Sequence, residues 1–330
     1  MNDISLMLSD IEAADKRIDG YAVRTPLLQS PSLNEKSSAK IYIKPENLQR
    51  AGSFKFRGAF NRLSQLSETQ RKAGVVAWSS GNHAQGIAAA AQILDIPAAI
   101  VMPSDAPHVK MQKTRDYGAE IITYDRYSES REDIGRRLAK ERGCTLVPSY
   151  DDLHIMAGQG TAGLEMVHQL SALGVKLDSL LVCCGGGGLI AGISTAFKSL
   201  SPDTNVYSVE PRAFNDHERS LVSGRREQNP ADARSICDAL LAPEPGEMTF
   251  AVNQKTLAGG VSVTDDEVRD AMRFAYDNLK LVVEPGGAVA LSAALTQKVD
   301  IAGQNVGVII SGGNVDPVQF ADIISLQAAT

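Results

Sequence analysis

Four consecutive glycines, Gly185–Gly188, stand between the apolar run LLVCC and the helical pattern LIAGISTAFKSL. Backbone without side chains can curl around an anion and direct several N–H groups at it. The start of the helix that follows adds a partial positive charge. The run therefore predicts a loop that binds phosphate. No Lys-Ser or Lys-Thr pair follows the glycines, which excludes an ATP-binding Walker loop.

The same loop also satisfies a dinucleotide-binding pattern. Gly186, Gly188 and Ala191 fit the spacing GxGxxA, and Glu210 stands at the end of the next predicted strand. A strand, a glycine turn, a helix, a second strand and an acidic residue form the fingerprint of NAD-binding folds. Taken alone, this pattern indicates an NAD-dependent oxidoreductase, and that alternative stays open here.

A second polar segment, SSGNH, follows the apolar run VVAW and precedes the helical pattern AQGIAAAA. It places the hydroxyls of Ser79 and Ser80, the amide of Asn82 and the imidazole of His83 at the end of a strand. Open α/β sheets bind ligands at the carboxyl ends of their strands. The N–H groups at the helix start suit a carboxylate. The alternative is plain N-capping of the helix by Ser or Asn.

The segment GSFKFRGA places Lys55 in the first turn of a predicted helix. We expect Ser53 to cap this helix, whose apolar positions are Phe56, Ala59, Phe60 and Leu63. A cation at a helix N-terminus opposes the helix dipole, which predicts a lowered pKa for the Lys55 amine. A lysine with a lowered pKa suits Schiff-base chemistry. The alternative is an ordinary surface lysine.

Two further loops, EPGGA at 284–288 and SGGN at 311–314, are weaker signals taken singly. The histidines show no HExxH or other metal spacing, and no GxSxG elbow is present. These absences disfavour a zinc protease and a serine hydrolase.

Composition narrows the class of protein. The formal net charge is −6 and the basic residues are scattered, which disfavours a nucleic-acid partner. No apolar run is long enough to span a membrane, and the start MNDISLMLSD is not typical of a signal peptide. The cysteines, at 144, 183, 184 and 237, form no CxxC pair, so we expect buried free thiols and a cytoplasmic location.

Apolar β-rich runs alternate with helical patterns along the 330 residues, which predicts an α/β protein with parallel sheets and about two domains. The predicted strands are 41–44, 75–78, 98–102, 120–123, 180–184, 206–210 and 306–311, with helices over 84–94, 109–117, 189–198 and 265–279. Capping boxes are predicted at Ser67/Gln70 and Thr264/Glu267. The segment 223–246, rich in Pro, Arg and Glu, predicts a long surface excursion.

Together these motifs resemble one family, the fold-type II enzymes that depend on pyridoxal 5'-phosphate, and within it the threonine/serine dehydratases, the 3-hydroxyaspartate dehydratases and the serine racemases. The matching segments are KPENLQRAGSFKFRGA (44–59), SSGNHAQG (79–86), AGQGT (157–161), CGGGGLIAG (184–192), VEP (209–211), EPGGA (284–288) and SGGNVD (311–316). They span nearly the whole chain in the family's order. The resemblance demotes the oxidoreductase alternative.

The resemblance implies a role for each matching residue. Lys55 would bind the cofactor as a Schiff base and remove the substrate's α-proton. Phe54 would flank the cofactor ring, Asn82 would hydrogen-bond its phenolic oxygen, and Ser311 would face its pyridine nitrogen. Backbone N–H groups of Gly185, Gly186, Gly187 and Gly188 would hold the phosphate.

The family also implies how the substrate binds. Its carboxylate would lie against Ser79, Ser80, Asn82 and His83, and Ser80 is similar to the second base of the racemases. The substrates implied are L-threonine, L-serine or a 3-hydroxyaspartate. For the second carboxylate of a 3-hydroxyaspartate, Arg131 and Arg212 are candidate partners.

Three positions bear on the reaction. A serine such as Ser311 does not keep the pyridine nitrogen protonated as an aspartate would, which favours prompt loss of a β-hydroxyl over a long-lived carbanion. We therefore expect an ammonia-lyase. Tyr150 resembles the aromatic residue of the dehydratases, whereas Ala239 replaces a glycine usual in the family. The alternatives are an amino acid racemase with the same cofactor and a non-catalytic cofactor-binding protein.

The resemblance implies a large domain with a Rossmann-like parallel sheet, formed by residues 1–66 and 150–330, and a smaller inserted α/β domain at 67–149 that closes over the substrate. It also implies a homodimer. Glu210 and Asp216, with the backbone carbonyl of Phe214, match the divalent-cation site of the metal-activated members. Because these ligands are all oxygen atoms, we expect Mg²⁺, Mn²⁺ or Ca²⁺.

Overall fold

The computed structural model describes residues 5–79, 81–106, 108–125 and 127–325, apart from the side chains of 108–110. The strands are β1 (Lys40–Pro45), β2 (Val75–Trp78), β3 (Ala98–Pro103), β4 (Glu120–Tyr124), β5 (Thr145–Leu146), β6 (Ser179–Cys183), β7 (Asn205–Pro211), β8 (Gly259–Val263) and β9 (Asn305–Ile310). The helices are α1 (Leu8–Ile18), α2 (Pro31–Ser37), α3 (Lys55–Ser64), α4 (Glu68–Ala73), α5 (Asn82–Leu94), α6 (His108–Asp116), α7 (Arg131–Arg142), α8 (Leu153–Ala172), α9 (Gly188–Leu200), α10 (Asp216–Ser223), α11 (Glu247–Thr256), α12 (Asp265–Phe274), α13 (Pro285–Leu295) and α14 (Pro317–Ser325).

The strands form two parallel sheets, as the α/β pattern predicted. One has the order β1-β9-β6-β7-β8 and draws on both ends of the chain. The other has the order β4-β3-β2-β5 and is built from the contiguous stretch 75–146. Because helices cover parallel sheets, their strands are buried and read as continuous apolar runs. That is why β3, β6 and β9 could be found from the sequence.

Two strands were not predicted, β5 and β8. The first has only two residues. The second, GGVSV, lies at the edge of its sheet, is mostly half-buried and starts with two glycines. Neither has a hydrophobic pattern that separates a strand from a loop.

Helix ends follow local capping chemistry. The capping boxes at Ser67/Gln70 and Thr264/Glu267 are confirmed, with both reciprocal hydrogen bonds present. The predicted helix over 265–279 is wrong at its end, because regular α-helical geometry stops at Phe274 and a π-helical turn covers Ala275–Leu279.

Small residues let the central helices approach closely. Helix α8 packs against both α3 and α9. At the crossing with α9, a side chain on Gly192 would lie 2.5 Å from the backbone nitrogen of Gly160. This close packing fixes the starts of α3 and α9 relative to each other. In the described part of the chain, no helix is both long enough and apolar enough to cross a membrane.

Candidate active site

A cavity of about 580 Å³ lies where the carboxyl ends of strands from both sheets meet. Its volume falls within the range of small-molecule pockets, about 300–1,000 Å³. The described residues that line it include Phe54, Lys55, Ser79, Asn82, His83, Arg131, Gly185–Gly188 and Ser311. The structure therefore brings together Arg131 and the predicted site residues from four separate sequence motifs.

Lys55 is the first residue of α3 and points its amine into this cavity. The amine donates a hydrogen bond to the carbonyl oxygen of Ser149 at 2.8 Å and lies 5.1 Å from the ring centroid of Phe54. Burial lowers the pKa of Lys55 to about 8, while the carboxylate of Glu284 acts in the opposite direction. The predicted direction is confirmed, but burial is its main cause.

The predicted cap of α3 is wrong. Phe54 stands at the N-cap position and makes no side-chain cap. The hydroxyl of Ser53 is buried without a hydrogen-bond partner among the described residues. Ser53 instead pairs through an isolated backbone bridge with Gly312, which holds α3 against the end of β9.

The glycine loop joins β6 to α9, and its carbonyl groups are held from one side by α11. Thr249 donates from its hydroxyl to the Gly186 oxygen at 2.6 Å, and Asn253 donates from its amide to the Gly187 oxygen at 3.3 Å. In a trans peptide the N–H points opposite to the C=O. The N–H groups of Gly187 and Gly188 therefore turn away from α11, and both glycines line the cavity.

Glycine is required at two positions of this loop for steric reasons. A side chain on Gly186 would overlap the ring of Tyr150. Gly187 has φ +92°, which non-glycine residues rarely adopt, and a side chain there would lie 2.6 Å from the imidazole Nε2 of His217. The loop thus presents bare backbone to the cavity, as an anion cradle requires.

Asn82, the first residue of α5, is held in place by two polar side chains. Its amide donates to Glu284 at 2.5 Å, and its carbonyl oxygen accepts from Asn314 at 2.9 Å. Both partners come from the weak loop signals EPGGA and SGGN. These loops, which carried little meaning singly, are therefore what orients Asn82.

Of the remaining residues of the SSGNH segment, the structure describes Ser79, Gly81 and His83. The Ser79 hydroxyl accepts from the backbone N–H of Gly81 at 3.1 Å. His83 places Nε2 at 3.1 Å from the carbonyl oxygen of Val147, so Nε2 carries the proton. Burial, and then the charge of Lys55, lower the pKa of His83 to about 3. His83 is thus a neutral ring that offers an acceptor at Nδ1. Ser80 lies outside the described residues.

Cationic side chains stand at the rim of the cavity. Arg131 begins α7 and pairs with Glu132 at 2.9 Å. Arg136 and Arg226, which were not singled out from the sequence, also line the cavity. Arg212 is exposed in a short turn and is not among the described lining residues, so its candidacy as a substrate ligand is not supported.

The predicted surface excursion at 223–246 is wrong in its second half. Residues 238–246 form part of the cavity wall, and Cys237 and Leu240 are buried. Arg226 anchors this wall by donating to the carbonyl oxygen of Pro245 at 2.8 Å. Irregular backbone rich in Pro and Glu gives no periodic signal, so sequence reasoning could not place it inside.

The predicted cation-binding residues lie together beneath the glycine loop. Glu210 is the penultimate residue of β7 and accepts hydrogen bonds from the backbone N–H groups of His217 and Glu218 at 2.9 and 2.8 Å. Asp216 begins α10 and is buried, and Phe214 lies in the turn between them. Burial, and then the Asp216 carboxylate, raise the pKa of Glu210 well above its usual range.

The cavity residues fit pyridoxal phosphate as a class of ligand. The glycine loop provides bare N–H groups for a phosphate, and Lys55 provides an amine whose pKa of about 8 leaves more of it neutral than in an ordinary lysine. Phe54 provides an apolar surface for a flat ring, and Asn82 provides an oriented amide. No residue of this set requires a dinucleotide.

Comparisons with known proteins agree with this fit. The family model described as "Pyridoxal-phosphate dependent enzyme" matches residues 18–312. The chain is 47% identical over 315 residues to an L-threo-3-hydroxyaspartate ammonia-lyase from Pseudomonas sp, covering 96% of this chain and 97% of the relative. It is 42% identical to a serine racemase from Schizosaccharomyces pombe, with 96% of each covered.

A solved structure shares the fold. The serine racemase from Dictyostelium discoideum superposes with a TM-score of 0.87 at 39% identity, covering 94% of this chain and 99% of that one. These similarities identify the glycine loop as part of a known fold that binds pyridoxal phosphate. They argue against the alternative that the loop binds a dinucleotide. The chain belongs to the family of pyridoxal-phosphate-dependent enzymes.

Proposed function

We propose that this chain is an ammonia-lyase that removes water and ammonia from a β-hydroxy amino acid and releases a 2-oxo acid. A 3-hydroxyaspartate is the first candidate substrate, followed by L-threonine and L-serine. The observation that carries the proposal is the position of Lys55, whose partly neutral amine faces the same cavity as the phosphate-type glycine loop.

Pyridoxal phosphate, when bound, supplies the electron-withdrawing system that makes the substrate's α-hydrogen acidic. Lys55 is the proposed attachment point and base. Its amine has a pKa of about 8, close enough to neutral pH for the group both to take up and to return a proton. The carbonyl oxygen of Ser149, 2.8 Å from Nζ, holds the amine in position.

The substrate carboxylate would lie at the start of α5, against Ser79, Ser80 and Asn82. The Asn82 amide is fixed from behind by Glu284 and Asn314, so it can be shared with a ligand without rearranging. His83 cannot donate from Nδ1 while Nε2 donates to Val147. Its proposed part is therefore to accept a hydrogen bond and orient a hydroxyl.

Reaction choice is proposed to depend on Ser311 and Ser80. Ser311 is buried at the end of β9, and its hydroxyl carries no charge that would keep a ring nitrogen protonated. Loss of the β-hydroxyl is then favoured over a long-lived carbanion. Ser80 as a second base would permit slow racemisation, in keeping with the similarity to a serine racemase.

The second carboxylate of a 3-hydroxyaspartate is proposed to meet Arg131 at the cavity rim. The 47% identity to an L-threo-3-hydroxyaspartate ammonia-lyase supports this substrate class. Among the described residues, the ion pair of Arg131 is with its half-exposed neighbour Glu132, so a substrate carboxylate can replace that partner at small cost.

The test is a panel of L-threo-3-hydroxyaspartate, L-threonine and L-serine, scored for 2-oxo acid and for the D-enantiomer. We expect 2-oxo acid as the main product. Arg131→Met should raise KM for the hydroxyaspartate at least tenfold and leave the L-serine value nearly unchanged. Arg142→Met, on the same helix but paired with Glu120 outside the cavity, is the control. Equal effects of Arg131→Met on all three substrates would contradict the assignment.

We also propose four features of the molecule outside the reaction itself. Residues 67–149, which include the second sheet, would form a small domain that closes over the substrate. The Glu210 and Asp216 site would hold a divalent cation. We propose a homodimer, by family resemblance, and a cytoplasmic location, which is supported by the four free cysteines.

A further inference from the structure

Two adjacent aspartates, Asp151 and Asp152, cap two different helices, and the first of them lies between the two ends of the cofactor site. We propose that Asp151 is a positioning residue for the cofactor. Its carboxylate fixes the start of α11, which holds the phosphate loop, to the segment that holds the amine of Lys55. The inference rests on the proposed roles of Lys55 and the glycine loop, and it does not depend on the choice of substrate.

Helix α11 has no cap of its own, because its N-cap residue is Gly246. Asp151 supplies the cap from 96 positions before Glu247. Its Oδ1 accepts from the backbone N–H groups of Met248 at 2.8 Å and Thr249 at 3.1 Å, and its Oδ2 accepts from that of Glu247 at 3.2 Å. The first N–H groups of a helix lack partners within the helix. This one carboxylate therefore satisfies three of them.

The glycine at the start of α11 leaves room for this distant cap. A side chain on Gly246 would overlap Oδ1 of Asp151. Helices usually begin with Ser, Thr, Asp or Asn, whose own side chain caps the first turn. Here the cap comes from another segment of the chain, so it joins that segment to the helix as well as satisfying the helix end.

The start of α11 in turn orients the phosphate loop. The hydroxyl of Thr249 donates to the Gly186 oxygen at 2.6 Å, and the backbone N–H of Gly246 donates to the same oxygen at 3.3 Å. That oxygen belongs to the same planar peptide unit as the N–H of Gly187. Fixing the oxygen on α11 therefore directs the Gly187 N–H toward the cavity, where a phosphate would lie.

The residues that precede Asp151 contact the other parts of the site. The Ser149 oxygen accepts from the Lys55 amine at 2.8 Å. The ring of Tyr150 packs so closely on Gly186 that a side chain there would overlap it. Because these residues are consecutive in the chain, the contact of Asp151 with α11 also fixes the carbonyl that holds the amine and the ring that covers the loop.

A negative charge this close to an anion site has a second effect, of the opposite sign. Asp151 is half-buried and lines the cavity. By charge alone, removal of its carboxylate would strengthen the binding of a phosphate. Loss of its hydrogen bonds would weaken that binding, because the loop and the Lys55 segment would no longer be fixed to α11. The sign of the change therefore separates positioning from charge.

The experiment measures cofactor retention by equilibrium dialysis of the holoenzyme, the phosphorus NMR signal of the bound cofactor, and Tm. Asp151→Ala should raise the dissociation constant about tenfold, which corresponds to the loss of one helix cap, and should shift or broaden the phosphorus signal. Asp151→Asn keeps the Oδ1 acceptor for Met248 and Thr249, so it should stay within about threefold of wild type.

The matched control is Asp152→Ala. Asp152 caps α8 by accepting from the backbone N–H groups of His154 and Ile155 at 2.8 and 2.9 Å, and it does not line the cavity. This variant should lower Tm about as much as Asp151→Ala, since each loses a helix cap. Its cofactor dissociation constant should stay within about twofold of wild type, because α8 does not hold the phosphate loop's carbonyl groups.

An unchanged or tighter dissociation constant in Asp151→Ala would overturn the proposal, and so would an equal loss in Asp152→Ala. A loss in Asp151→Asn as large as that in Asp151→Ala would assign the effect to charge and would also overturn it. If Asp151→Ala does not fold, Thr249→Val decides, because it removes the hydroxyl that holds the Gly186 oxygen. It should weaken retention about threefold or more, and an unchanged value would refute the proposal. None of these readouts depends on turnover, so a failure here is distinct from a failure of the ammonia-lyase assignment.

Discussion

Removing the Glu284 carboxylate should make the Lys55 amine still easier to deprotonate. Burial lowers the pKa of Lys55 to about 8, and Glu284 opposes that shift by favouring the charged amine. At pH 7 an amine of pKa about 8 is roughly 9% neutral, against about 0.03% for an ordinary lysine, a gain of about 300-fold. Glu284→Gln keeps an acceptor for Asn82 but removes the charge, so the Lys55 titration should move below pH 8.

Competitive acetylation of the cofactor-free protein, read by mass spectrometry of the Lys55 peptide, measures this titration between pH 6 and 11. The exposed Lys72 serves as the reference for reagent reactivity. We expect a midpoint near pH 8 for wild type and a lower one for Glu284→Gln. A wild-type midpoint near 10.5, or a rise in the variant, would refute the argument that burial outweighs the nearby carboxylate.

Two further changes test the supporting structure. Gly186→Ala should weaken cofactor binding at least tenfold, because the added methyl overlaps Tyr150. The double variant Gly186→Ala/Tyr150→Ala should recover much of the lost affinity, as measured by absorbance titration with the cofactor. Equal losses of affinity in the single and the double variant would contradict the steric reason. Arg57 forms buried ion pairs with Glu46 and Glu165, and Arg57→Met removes this partner from both carboxylates. The free energy of unfolding measured in urea should therefore fall by about 3–5 kcal/mol. A loss below about 1 kcal/mol would contradict a stabilising role for these ion pairs.

Much of the fold could be predicted because parallel strands are buried on both faces. The runs at β3, β6 and β9 carry their own hydrophobic signal, and the capping boxes at Ser67 and Thr264 are local. Strand β8 could not be found, since two glycines at a half-buried edge have no such pattern. Nor could the π-helical turn after Phe274 be predicted, because the apolar residues of the helical pattern continue through Ala275 and Leu279.

The candidate site was predictable where one segment carries the chemistry, as at Lys55 and the glycine loop. It was not predictable where the tertiary fold supplies the partners. The Glu284 contact with Asn82 joins residues 202 positions apart. The pKa of Lys55 shows the same limit, because its direction followed from a helix position but its main cause is burial.

The most direct test of the central claim is borohydride reduction of the holoenzyme followed by peptide mapping. Reduction fixes the carbon–nitrogen bond that joins the cofactor to the protein. We expect one pyridoxyl group per chain, on the peptide that contains Lys55, and none in Lys55→Ala. A pyridoxyl group on a different lysine, or none in the wild-type enzyme, would show that Lys55 does not carry the cofactor.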